Sequence, residues 1–121
     1  MTENREYLKL THNALEGKFL NFTGKSGVYW VSIIPSLNFS GYGDLESEAK
    51  KDLEYNLKVL CKDLFELPQD QRDAELKKMG WSKDKVLKKQ YSSVYVDEDG
   101  VLQNFDFPKQ VKKTILESVN V

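Results

Sequence analysis

Residues 41–60 read GYGDLESEAKKDLEYNLKVL, and the fold turns on this stretch. Two glycines and an acid run directly into a helical pattern. Leu45, Ala49, Leu53, Leu57, Leu60 and Leu64 recur every three or four residues. That spacing lines one face of an amphipathic helix from about residue 45 to about residue 65. Lys50, Lys51, Asp52, Glu54, Lys58 and Lys62 fill the opposite face. Asp44 stands at the N-cap position, with Glu46 and Glu48 in the first turn, where the helix dipole favours negative charge. A helix with a single apolar stripe has to bury it against something, and the residues before it supply that surface.

Those residues read as an antiparallel sheet. Lys18–Thr23 (KFLNFT) and Val28–Ile34 (VYWVSII) are rich in aromatic and β-branched residues, as strands are. The intervening Gly24-Lys25-Ser26-Gly27 reads as the turn of a hairpin. Pro35 removes a ladder donor and ends the second strand. Ser36–Tyr42 reads as a third strand, so residues 18–65 give a β-β-β-α core. Residues 1–17 suit a strand by the alternation of Leu8, Leu10 and His12, or equally a short helix on Tyr7, Leu8, Thr11, Ala14 and Leu15; the extended form is favoured, with a turn at Glu16-Gly17. Leu67-Pro68 stops the long helix. Short helices are expected at 69–79 and 83–89. Tyr91–Val96 and Val101–Phe107 read as a C-terminal β-hairpin across Asp97-Glu98-Asp99-Gly100, and Pro108 suits the first turn of a last helix over 109–119. The expected class is therefore α+β, an antiparallel sheet with additional helices.

The totals agree with one domain spanning residues 1–121. Hydrophobic residues make up 40% and charged residues 31%, which places the chain among ordinary globular proteins. The net charge of -1 selects no partner by bulk attraction. Cys61 is the only cysteine, so no internal disulfide is possible and a reducing, cytoplasmic location is expected. The polar start, MTENREYLKL, lacks the apolar core of a secretory signal, and no apolar run is long enough to span a bilayer.

Four motifs suggest chemistry that their context argues against. The Gly24-Lys25-Ser26-Gly27 turn contains GKS, but the first glycine of a phosphate loop would fall at Phe19, and a strand follows instead of a helix. Gly41-Tyr42-Gly43 does precede a helix, where free N–H groups bind anions, yet Asp44, Glu46 and Glu48 repel a phosphate there. A calcium loop starting at Asp97 needs Gly at its sixth position and Glu at its twelfth, where Leu102 and Pro108 stand. His12 is the only histidine, and no metal-ligand spacing surrounds it or Cys61. No cofactor, metal or catalytic set is expected, and the chain reads as a non-enzyme.

Two binding surfaces remain. Strand aromatics at Tyr29, Trp30, Phe39, Tyr42 and Tyr95 are expected to form a protein interface, because helices on one face of a sheet leave the other face available. Alternatively, residues 69–107 read as a winged helix-turn-helix. Its phosphate contacts would be Lys83, Lys85, Lys88 and Lys89. The acidic Asp97-Glu98-Asp99 at the wing tip, and the absence of arginine after Arg72, count against it.

Residues 18–64 resemble the N-terminal domain of HicB-like antitoxins. The resemblance rests on Trp30, Ser32, Ile34, Pro35, Ser36 and Leu37, then Gly43-Asp44 and Glu48-Ala49. The family's Pro-Gly after the leucine is Asn38-Phe39 here, and its helix-capping Thr is Leu45. The resemblance implies a three-stranded sheet with a covering helix. It also implies a non-enzymatic protein that self-associates and masks a partner protein such as a ribonuclease toxin.

Overall fold

The computed structural model describes residues 6–10, 14–83, 90–93 and 98–120. The fold is α+β. Strands are β1 (Tyr7–Leu10), β2 (Ala14–Ser26), β3 (Tyr29–Ile34), β4 (Phe39–Gly43), β5 (Trp81–Lys83), β6 (Gln90–Ser93) and β7 (Lys112–Asn120). Helices are α1 (Glu46–Glu66), α2 (Gln69–Lys78) and α3 (Glu98–Leu102), with 3-10 turns at Pro35–Leu37 and Pro108–Gln110. All strand pairs are antiparallel.

The expected β-β-β-α core is present as β2, β3, β4 and α1. The hairpin is tighter than the sequence suggests. β2 runs on through Gly24, and the turn is Gly27-Val28, with Gly27 at φ +66°. Gly24 is a packing position: a Cβ there would lie 2.9 Å from both Phe105 and Val111. The turn at Pro35–Leu37 closes on Asn38, whose left-handed φ of 54° redirects the chain into β4.

β2 has three partners on two edges. Glu16 pairs with Lys9 of β1 and Ser118 of β7, while Phe22 pairs with Ile33 of β3 and Lys113 of β7. So β7 runs along one edge, and β1 and β3 share the other end to end. The sheet forks there, with β4 beyond β3 and with β6 and β5 beyond β1. Glu6, 1% exposed, fills the gap at the fork. Its Oε2 accepts the Leu20 N–H (2.7 Å) and the Ser36 hydroxyl (2.9 Å). Trp81 Nε1 donates to the Ser36 carbonyl at 3.0 Å and ties β5 to the same point.

α1 buries Ala49, Leu53, Leu57, Leu60, Cys61 and Leu64 against one face of the sheet. Leu45, expected in this stripe, is exposed and occupies the N-cap position without a side-chain cap. Asp44 is therefore not the cap; its N–H is instead bound by the Glu48 carboxylate at 3.0 Å. The helix backbone lies directly on β4. A Cβ on Gly41 would come within 2.2 Å of the Leu53 amide nitrogen, and one on Gly43 within 2.7 Å of the Ala49 nitrogen. The two glycines of the decisive stretch are thus a close-approach device.

The second half departs from expectation. Val101–Phe107 forms no strand: Glu98–Leu102 is the short α3, and Phe105 packs with Leu20, Phe22 and Val31 on the face opposite α1. Glu98 and Asp99 suit a helix start, which explains the change. Lys112–Asn120 is strand β7 where a helix is expected. Pro108 opens only a three-residue helical turn. Thr114, Ile115 and Val119 are β-branched, and the free edge of β2 offers a ladder that outweighs local helix preference.

Two substitutions test this architecture. Gly41→Ala is expected to cost about 1–3 kcal/mol by forcing α1 off β4. Glu6→Ala is expected to cost about 1.5–3 kcal/mol, since it strips a charged acceptor from a buried amide. Urea midpoints measure both, with the exposed Glu66→Ala as a control within about 0.5 kcal/mol of the parent.

Candidate interaction surface

Register and alternation assign the strand aromatics to faces. Gly41 and Gly43 face α1, so their cross-strand partners Ser32 and Trp30 do too, with Ile34. Tyr29, Val31 and Ile33 of β3, with Ser40 and Tyr42 of β4, point the other way. That second face is not open as expected: Phe105, Val101, Leu102 and Val111 cover its middle. Tyr29 and Tyr42 remain at the margin, 51% and 58% exposed.

The five expected interface aromatics therefore separate. Tyr29 and Tyr42 share an exposed face. Trp30 is half-buried on the α1 side, with the Lys25 ammonium 5.8 Å from its ring centroid. Phe39 is half-buried against the main core. Tyr95 lies outside the described residues.

Tyr42 is held in place from the backbone. Its N–H donates to Asp52 Oδ2 at 3.0 Å, and Asn56 Nδ2 donates to the Ser40 carbonyl at 2.9 Å. These α1 side chains occupy two of the outward backbone groups of β4, which obstructs that sheet edge to another strand. Tyr55 and Val59 are also exposed. The spacing of 52, 55, 56 and 59 puts them on the side of α1 that carries Asp52 and Asn56. The obstructed edge thus has Tyr42 on one side and Tyr55 with Val59 on the other. The sequence gives no sign of this second group, because Tyr55 and Val59 fall outside the apolar stripe.

The expected helix-turn-helix is described only in part, since residues 84–89 of its second helix lie outside the described residues. α2 matches its first helix, but Trp81–Lys83 is strand β5, where the second helix should begin. Of the expected wing strand Val101–Phe107, Val101 and Leu102 belong to α3 and the remainder forms no strand. Lys83 ends β5, and Lys85, Lys88 and Lys89 lie outside the described residues, as does His12. Trp81 explains the change: it is buried, edge-on to Phe19 at 5.9 Å between centroids, and this draws the chain into the sheet.

A cleft of about 320 Å³ lies beside this strand, lined by Asp73, Lys77, Trp81, Ser82 and Tyr91. The Tyr91 hydroxyl donates a short hydrogen bond to Asp73 Oδ1, and Gln69 Nε2 donates to the same oxygen at 2.8 Å. Burial, and then the Asp73 carboxylate, push the Tyr91 phenol up to about 12. The phenol stays a proton donor at neutral pH, so the group locks α2 to β6. Burial likewise pushes the Cys61 thiol up, which keeps it protonated and unreactive.

No family model, curated protein or solved structure matches the chain. No helix among the described residues is long and apolar enough to cross a membrane.

Tyr91 provides a titration. Its folded value lies above the ordinary value of 10.0, so its contribution to stability is complete below that pH and is lost as pH rises towards about 12. Absorbance at 295 nm should show one tyrosine ionising near pH 12. Asp73→Asn should bring that transition down part-way, since burial remains. An unmoved transition would remove Asp73 as a cause.

Proposed function

We propose that this chain is a non-enzymatic, HicB-like interaction protein of the cytoplasm. In this proposal it self-associates, and it binds and masks a partner protein, of which a ribonuclease toxin is the expected kind. The observation that carries the proposal is the pair Tyr29 and Tyr42. Two large rings stand exposed on one face of adjacent strands. The Tyr42 backbone is fixed by the Asp52 contact, so little main-chain entropy is lost when a partner covers the ring. Tyrosine combines apolar area with a polar tip, and it is enriched where interfaces concentrate their energy.

The β2-β3-β4-α1 order also fits the resemblance. Gly43-Asp44 and Glu48-Ala49, on which the resemblance leans, meet at the strand-to-helix corner. There Glu48 binds the Asp44 amide, and Ala49 is buried against β4.

Co-expression with the product of the neighbouring gene tests the proposal. The expected outcome is a stable complex and relief of the growth arrest that the partner causes alone. Tyr29→Ala and Tyr42→Ala should each weaken the complex by about 30-fold, the effect of losing roughly 2 kcal/mol at a hot spot. Neither variant should shift the unfolding midpoint by more than about 0.5 kcal/mol. A neighbouring product that neither arrests growth nor binds would count against a toxin partner.

A further inference from the structure

We infer that β7 is a strand-addition edge on which a second copy of this chain docks antiparallel, joining the two sheets into one. The inference rests on the self-association proposed above and assigns it a place. Of the sheet's outer strands, β4 is obstructed by Asp52 and Asn56, and among the described residues β5 spans three positions. β7 is nine residues long, and among the described residues it pairs with β2 alone.

The direction of its backbone groups follows from the ladder. Antiparallel residues alternate between pairs that exchange hydrogen bonds and pairs that do not. The Leu20 amide bonds Glu6 on the opposite edge of β2, so Leu20 and Ile115 form a non-bonded pair. Ile115 therefore directs its N–H and C=O outward. Lys113, opposite Phe22, is in the same phase and does likewise.

Edge strands are commonly protected by free lysines standing over the edge. Here Lys112 is drawn to Glu46 at 2.9 Å across one face, and Lys113 to Glu98 at 2.9 Å across the other. Each ammonium is held towards a face of the sheet by its carboxylate partner, and both side chains remain partly solvated. Ile115 is 51% exposed, and a neighbouring strand would cover it.

Charge order selects the occupant. The strand reads KKTILESVN, basic at its start and acidic further on. Antiparallel pairing with a second copy brings opposite charges together, whereas parallel pairing stacks like charges. A two-fold axis near Ile115 makes the contact self-complementary, as a closed dimer requires.

Ile115→Pro on the full chain tests this with little internal damage, because the amide it removes faces away from β2. Light scattering should give the parent protein twice its chain mass of 14.0 kDa and the variant a single chain mass. Ile115→Lys, which keeps every backbone group, should also be monomeric and covers the case in which the proline variant fails to fold. Hydrogen exchange should show the Lys113 and Ile115 amides gaining protection as parent concentration rises. A parent that is monomeric at high concentration overturns both this inference and the self-association it rests on. A parent dimer that survives in both variants overturns the β7 edge alone.

Discussion

A strand has two edges, and β2 has to serve three partners. The rest of the structure depends on how this conflict is resolved. With β7 along one edge, β1 and β3 share the other, and a gap opens where one ends and the next begins. A buried amide at that gap costs about 1–3 kcal/mol if left unpaired. The Glu6 carboxylate supplies the missing acceptor and at the same time holds Ser36, whose carbonyl holds Trp81. One side chain thus joins the β1 branch, the turn after β3 and the β5 strand. The main core, from Leu8 and Phe19 to Leu57, Leu76 and Trp81, fills the space beneath this junction.

The two faces of the sheet are covered by different means. On one face the α1 backbone rests on Gly41 and Gly43, so contact is by main chain and leaves no room for side chains. Nearer β7, the same face carries Asn21, Thr23 and Ser32, which bond one another, and Thr114 adds a hydroxyl to Asn21. On the other face a second core of Leu20, Phe22, Val31 and Phe105 depends on the segment that follows α3. Asp106 pins that segment to the hairpin: its N–H reaches the Lys25 carbonyl, and its carboxylate accepts the Gly27 amide at 2.7 Å.

What was legible in the sequence follows from this division. The β2-β3-β4-α1 unit is built from neighbours in sequence, so alternation in VYWVSII and the three-and-four spacing from Ala49 to Leu64 disclose it. Residues 98–120 are placed by contacts with β2 some ninety positions earlier, and local pattern carries no trace of such pairing. Hence Lys112–Asn120 looks helical and is a strand. The strand aromatics expected at an interface show the same limit. Tyr29 and Trp30 are adjacent and equally aromatic, and only α1 decides which of them turns inward. Glu6, a charged residue near the start of the chain, has no sequence feature that marks it as buried.

The Glu46–Lys112 pair links the local unit to the distant one. Glu46 opens α1, and Lys112 opens β7. The hydrogen bond from Lys112, more than any other influence, holds the Glu46 carboxyl below its ordinary range. Its contribution to stability is therefore present above the ordinary carboxylate value and fades as pH falls through the lowered one. Both side chains are partly solvated, so the pair adds little energy. Its effect is positional. It holds one lysine of β7 towards a face of the sheet while α1, through Asp52 and Asn56, obstructs the edge at β4. A single helix thus blocks one end of the sheet and engages a lysine at the other, and this difference is why the proposed pairing is placed at β7.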